Sequence, residues 1–250
     1  VNRGRGVENI RDRDAEGIIM KMWNKDFSKR YHSEELIEKK YVLMPAITDL
    51  IKSKKWRRMI DLGCGSGYYC RKFAKKDVKI VGVDKNMEQL DIAISEEAKK
   101  KLGIQYIKSD ITKIKSIKSN SFDIAMLNFV IVEIHDESTV KKLFKEAHRI
   151  LRKDGLLIIG QVHPHHINRS GKILEKTLKN KGSYFNNTAP AVSKALLKNG
   201  KYLIFKNDYH YTLEFLLNSL SESGFMLEKM KELSYNEIHP THIVLIEKKV

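Results

Sequence analysis

Seven residues, Asp61-Leu62-Gly63-Cys64-Gly65-Ser66-Gly67, constrain the fold of this chain more than any other segment. An apolar run beginning near Met59 leads into them, and a helical pattern from Tyr68 to Lys75 leads away. A strand that ends in a glycine-rich turn and passes straight into a helix is the ligand-facing corner of a doubly wound α/β sheet. The glycines stand at every second position. A dinucleotide-binding turn needs its third glycine one place later, where this chain has Tyr68. The spacing therefore disfavours a pyrophosphate cradle and points to a ligand approached closely by backbone but lacking that group.

The downstream pattern continues the same architecture. Lys79 to Asp84 reads as a second buried parallel strand ending in a carboxylate. Asp84 follows Gly63 by about twenty residues, the spacing at which an acid accepts both ribose hydroxyls of a bound nucleotide. Gly103 to Lys108 reads as a third strand, running into Ser109-Asp110-Ile111, and Phe122 to Leu127 as a fourth. Glu137 to Leu151 is an amphipathic helix with Val140, Leu143, Phe144, Ala147 and Ile150 on one side. Asp154-Gly155 turns into a fifth strand, Leu156 to Ile159. Gly224 stops a helix from Leu213 to Ser223, and Phe225 to Met230 with His242 to Glu247 form a closing antiparallel pair. Upstream, apolar positions between Ser33 and Lys54 recur at helical spacing, divided by Pro45. The expected fold is α/β: a doubly wound, seven-stranded, mostly parallel sheet with helices on both faces and an N-terminal helical segment.

The 250 residues suit one domain, expected over 23–250, with residues 1–22 as a mobile basic arm lacking periodicity. Between His163 and His210 the strand–helix alternation breaks. That stretch reads as two helical fragments (Ile173 to Lys179 and Ala191 to Leu197) among the aromatics Tyr184, Phe185, Tyr202, Phe205, Tyr209 and Tyr211. Long insertions in compact domains are commonly functional, so 163–210 is expected to form a lid over the strand ends.

The alternate-glycine turn, the strand-terminal Asp84 and the Asp110 position together resemble the class I S-adenosylmethionine-dependent methyltransferases, whose sheet is Rossmann-like. The resemblance is strong from about Trp56 to Gly160 and includes Leu151-Arg152-Lys153-Asp154-Gly155, where the family usually has Leu-Lys-Pro-Gly-Gly. Trp23-Asn24, Tyr31, Leu127-Asn128-Phe129-Val130, His163-Pro164 and Tyr209-His210-Tyr211-Thr212 are similar to the bacterial small-molecule, quinone-biosynthesis-like group. What this implies is S-adenosylmethionine as cofactor. Asp61, Gly63, Cys64, Gly65 and Gly67 would hold its amino-acid end, with Asp61 facing the ammonium. Asp84 and Lys85 would sit at the ribose. Met87, Ser109, Asp110 and Ile111 would surround adenine, with Asn128 and Phe129 beyond the fourth strand. Trp23 and Tyr31 would close over the ligand, although anchoring the first helix explains them equally well.

A sulfonium methyl donor is already activated, so the protein's task is mainly to orient the nucleophile and exclude water. An oxygen acceptor of high pKa still gains from a base. His163, at the end of the fifth strand, is the first candidate and His135 follows, with His165, His166 and His210 behind them. The spacing of His163, His165 and His166 fits no standard metal-ligand pattern, and no metal is expected.

Net charge is +16, which raises the question of nucleic acid. Much of the excess is lysine spread over many polar faces, and no RNA-binding appendage is recognisable. The leading expectation is transfer of a methyl group to an O or N atom of a small-molecule acceptor. An RNA or tRNA methyltransferase is the alternative, and a non-catalytic S-adenosylmethionine-binding partner protein stands third. The two cysteines, Cys64 and Cys70, form no paired framework, and no apolar run reaches bilayer length. With no signal-peptide pattern ahead of the fold, a cytoplasmic location without membrane attachment is expected. Oligomeric state is not legible in the sequence.

Overall fold

Near-continuous apolar runs make strands that can be covered on both faces, and that is how the central sheet is used. The computed structural model describes residues 23–180, 182–235 and 238–250. The arm expected over 1–22 lies outside the described residues. Strands β1 (Arg58–Leu62), β2 (Lys79–Asp84), β3 (Gln105–Lys108), β4 (Phe122–Asn128) and β5 (Leu151–Val162) run parallel, and all seven residues of β4 are buried. The antiparallel strands β10 (Phe225–Leu233) and β11 (His242–Lys249) close one edge, giving the order β10-β11-β5-β4-β1-β2-β3. This is the seven-stranded sheet the sequence predicts. Its fifth strand starts earlier, at Leu151, with Asp154 in a left-handed conformation (φ +61°) inside it rather than in a preceding turn.

Helices cover both faces. α5 (Glu137–Ile150) begins where the Asp136 side chain accepts a hydrogen bond from the Thr139 N–H (2.8 Å), and its apolar stripe buries Leu143, Phe144 and Ala147 against β4 and β5. α6 (Leu213–Glu222) packs on the same side. The opposite face is covered by α2 (Met44–Ile51) and α3 (Tyr68–Phe73), with α4 (Met87–Lys99) alongside. No helix of the described residues is long and apolar enough to cross a membrane.

The insertion corrects the sequence reading. The two expected helical fragments are strands: β7 (Leu174–Leu178) and β8 (Ala189–Leu196) pair antiparallel, flanked by β6 (Arg169–Ser170) and β9 (Tyr202–His210), in a separate four-stranded sheet. The inward set Ala189, Ala191, Ser193 and Ala195 follows a period of two. Seven-residue fragments are too short to nucleate a helix unaided, so tertiary pairing decides their state.

Helix α1 (Lys25–Ser33), capped by Asn24, docks on this second sheet through Phe27, which joins Leu36, Ala195, Leu197 and Leu203 in one apolar cluster. Trp23, Tyr31 and Phe205 pack on it edge to face, with centroids 5.0 Å apart for Trp23–Tyr31 and 6.2 Å for Tyr31–Phe205. The chain then enters α2 through Glu38–Leu43, a wide helical turn in which the Met44 N–H reaches back to the Lys39 carbonyl. Such i→i+5 turns are rare and frequent at functional sites.

Candidate active site

A cavity of ≈ 380 Å³ lies at the carboxyl ends of β1, β2 and β4, between the glycine turn and the second sheet. Its floor is set by the turn. The N–H groups of Gly63 and Cys64 both donate to the Val83 carbonyl, and the Gly65 N–H donates to Asp84 Oδ2 at 2.8 Å. Asp84 Oδ1 accepts from the Asn86 N–H at 2.8 Å, so one carboxylate ties the end of β2 to the turn and to the start of α4. Burial raises the Asp84 pKa against the opposing pull of these two N–H groups. Gly63 cannot be replaced without strain: it sits at φ +77°, and an added Cβ would approach Val130 Cγ2 to 2.6 Å.

Of the predicted cofactor positions, Gly63, Cys64, Gly65, Asp84, Lys85, Asp110, Ile111, Asn128, Phe129, Tyr31 and Trp23 line this one cavity. Asp61, Gly67, Met87 and Ser109 do not. Asp61 lies beneath the turn, 1% exposed, accepting from Cys70 Sγ at 3.5 Å, and burial pushes its pKa up to about 7. Gly67 caps α3 at φ +75°, Met87 points to solvent, and the Ser109 hydroxyl turns to the Asp110 carbonyl. Asp110 is held by the N–H and hydroxyl of Thr112, each at 2.8 Å, with its pKa lowered by the N–H bond.

The two histidines proposed as bases are not at the cavity. Val162, the last residue of β5, lines it, and the pleat sends the next side chain the other way. His163 thus bonds Glu232 on β10 through Nε2 (2.9 Å) and accepts the His165 N–H through Nδ1 (3.0 Å), burial lowering its pKa. His135 stands in solvent beside Asp136, its side chain 76% exposed. Among the described residues no histidine lines the cavity, and no cluster of three or more His, Cys, Asp or Glu is placed to hold a metal.

What the sequence reading missed is a set of charged groups on the far wall. Glu38 and Lys39 come from the wide turn before α2, Glu133 from the 3₁₀ turn Ile131–Glu133 after β4, and Asp208 from β9, where the Ser193 hydroxyl donates to it. Glu38 also takes a 2.9 Å bond from His242 Nε2. Lys39 Nζ lies 4.5 Å from the centroid of Tyr31 and 4.3 Å from that of Tyr68, and burial with the charge of Arg71 pushes its pKa down to about 7. Glu133 is exposed to the solvent that fills the cavity, with protein on every other side. Lost hydration, then Asp208 and Asp84, push its pKa up to about 8. Burial carries Asp208 to about 6 against Lys176 and Ser193. The one signal in the sequence was an acid at an inward phase of β9; the wide turn left none.

The elevated Glu133 pKa has a measurable consequence. Because the folded value lies above the ordinary 4.5, ionisation costs stability progressively as pH rises from about 4.5 through about 8, and costs nothing below that window. Relative to Glu133→Gln, the wild-type protein is expected to lose melting temperature between about pH 5 and about pH 9, the two curves running parallel below about pH 4. A constant offset across that range, read by differential scanning fluorimetry, would remove Glu133 from the set of groups whose ionisation the cavity opposes.

A doubly wound sheet extended by this antiparallel edge, with β1 ending in an alternate-glycine turn, defines a class I S-adenosylmethionine-dependent methyltransferase. The chain belongs to the family described as "Methyltransferase domain", whose model matches residues 53–216. Among solved structures it is similar to an S-adenosylmethionine-dependent methyltransferase from Clostridium acetobutylicum, at TM-score 0.65 and 17% identity over 90% of this chain and 99% of that one. Among curated proteins it is similar to a malonyl-[acyl-carrier protein] O-methyltransferase from Legionella pneumophila, 31% identical over 114 residues, covering 43% of this chain and 37% of that protein. It is also similar to phosphoethanolamine N-methyltransferase 3 from Arabidopsis thaliana, 27% identical over 115 residues, covering 44% of this chain and 22% of that protein. The chain thus spans well under half the length of these curated relatives.

The residues present fit the S-adenosylmethionine the family uses. Ser66 Oγ, both amide atoms of Gln89 and of Asn128, and the hydroxyls of Tyr68 and Tyr69 are buried without a hydrogen-bond partner, and all of these residues line the cavity. Buried polar groups are rarely left unpaired, so this cluster is a donor–acceptor set awaiting a polar ligand.

Proposed function

We propose that this methyltransferase acts on a small-molecule acceptor enclosed between the glycine turn and the second sheet. The observation that carries the reading is the wall itself: Leu174, Ser193, Ala195, Phe205 and Asp208, all from the four-stranded insertion, face Gly63, Gly65 and Asp84 across one cavity of ≈ 380 Å³. A volume of that order suits a small ligand. In this reading 163–210 is the lid of a domain running from 23 to 250.

When bound, S-adenosylmethionine supplies an electrophilic methyl group on a sulfonium centre. Asp84 would accept from the ribose, Asp110 and Ile111 would border adenine, and Lys39 with Asn128 and Gln89 would meet the amino-acid end. Trp23, Tyr31 and Phe205 exclude water and fix the acceptor's approach, which is the larger part of catalysis for an activated donor.

One observation favours an RNA acceptor. A hollow of ≈ 700 Å³ at the opposite end of the strands is lined by Lys54, Lys55, Arg57, Arg58, Lys75 and Arg152. The two readings separate in one experiment. Binding through six to ten phosphates would weaken about 10³- to 10⁵-fold between about 50 and 200 mM salt. We expect RNA binding to be weak and to vanish near physiological salt, with labelled methyl groups appearing in the low-molecular-mass fraction of a native extract. Label entering tRNA or rRNA at a rate that persists at physiological salt would overturn the small-molecule reading.

A further inference from the structure

The sign of the charge inside the cavity is opposite to that of the molecule. The chain carries a net +16, yet this cavity is lined by the carboxyl groups of Glu38, Glu133 and Asp208 on one wall and Asp84 and Asp110 on the other. Two lysines, Lys39 and Lys85, share this lining: Lys39 lies over Tyr31 and Tyr68, while Lys176, behind Asp208, donates to the Tyr209 carbonyl at 3.2 Å and His242 bonds Glu38 from behind. Beside these carboxyl groups stand Trp23, Tyr31 and Phe205, with Trp23–Tyr31 and Tyr31–Phe205 in edge-to-face contact. Carboxylates set among aromatic rings form a receptor for an ammonium group, since both attract a cation.

From this geometry, and resting on the methyltransferase reading above, we propose that the acceptor is a basic amine, bound as its ammonium among Glu38, Glu133 and Asp208 and methylated on nitrogen, with the Glu133 carboxylate taking the proton that the nitrogen must lose. The nitrogen lone pair so exposed forms the new N–C bond as the methyl–sulfur bond breaks, its electron pair staying on sulfur. The sulfonium becomes a neutral thioether, Glu133 becomes a neutral acid, and the product leaves as a methylated ammonium, so total charge is conserved. A Glu133 pKa near 8 makes this carboxylate a stronger base than an ordinary one. An alcohol or phenol is a poor alternative here. Its reactive form is an anion, generated beside the like charges of Glu38 and Asp208 with no histidine in the cavity lining, whereas the amine's reactive form is neutral and its product cation is stabilised by the same wall.

The test uses the full chain saturated with S-adenosylhomocysteine and three probes of one shape: 2-phenylethylamine, 2-phenylethanol and phenylacetate. Calorimetry is expected to show the amine binding at least about tenfold more tightly than either isostere, or ~1.4 kcal/mol. That preference is expected to collapse in Asp208→Asn and in Glu133→Gln, while S-adenosylhomocysteine affinity stays within about threefold, which also certifies that both variants fold. With S-adenosylmethionine, mass spectrometry is expected to find the N-methylated amine, with kcat lowered in Glu133→Gln more than in Asp208→Asn. Equal or tighter binding of the alcohol or the carboxylate, no binding by any probe, or an amine preference untouched by both substitutions would overturn the proposal. Failure of S-adenosylhomocysteine itself to bind would instead remove the methyltransferase reading on which it rests.

Discussion

Asp84→Ala is expected to weaken binding of S-adenosylmethionine and S-adenosylhomocysteine by at least ~10²-fold, with the fold retained. Two charge-assisted hydrogen bonds to ribose are each worth about 1.5–3 kcal/mol, and ~2.7 kcal/mol already corresponds to two orders of magnitude. The structure adds a second cost. Asp84 also accepts from the Gly65 and Asn86 N–H groups, both at 2.8 Å, so its removal loosens the turn that shapes the cavity floor. Asp84→Asn keeps one acceptor oxygen and is expected to fall between the two. The carboxylate's burial raises its pKa, so its charged form is held at some expense to the empty protein, and the alanine variant is not expected to unfold on that account. Calorimetric titration with a thermal melt alongside separates affinity from stability. An alanine variant binding within about threefold of wild type would end the ribose assignment.

Gly67→Val is expected to lower the melting temperature by ~4–20 °C and to abolish cofactor binding. Gly67 sits at φ +75°, a left-handed conformation that costs a non-glycine residue about 1–2 kcal/mol. A Cβ there would approach Tyr106 Cζ to 2.8 Å. The same Cδ1–Cε1 edge of Tyr106 also packs over Gly82, where an added Cβ would stand 2.8 Å from Cδ1. Overpacking adds about 1–3 kcal/mol, and each kcal/mol moves the melting temperature of a chain this size by about 2–4 °C. Gly103→Val is the control: it shares a positive φ (+78°) but meets no atom within 4 Å. It is expected to show the conformational cost alone and to bind cofactor normally. Equal losses in the two variants would show that the Tyr106 contact contributes nothing.

The glycine-turn side of the cavity was readable because its determinants are local in sequence. The three glycines define one turn, Asp84 ends the next strand, and Asn128 and Phe129 follow β4 directly. Each sits at the carboxyl end of a parallel strand, and the order of those strands follows from the apolar runs and the handedness of their crossovers. The sequence determined the sheet, its closing antiparallel edge and the class of ligand for the same reason.

The opposite wall of the cavity was decided by tertiary structure. Glu38, Glu133, Ser193 and Asp208 come from four separate segments, and none lies beside another in the chain. Glu38 and Lys39 face inward because the helix opens to an i→i+5 turn there, which an ordinary 3.6-residue period does not foresee. Ser193 and Asp208 face inward because β8, where helix was expected, pairs with β9 as a strand, with a register shift between Ala191 and Ser193. His163 faces outward because one step along the pleat reverses a side chain. Direction, unlike residue type, is set by the phase of a strand or the pitch of a turn. Over short segments that phase is fixed by what packs against them, so the chemistry of that wall existed only once the second sheet had paired.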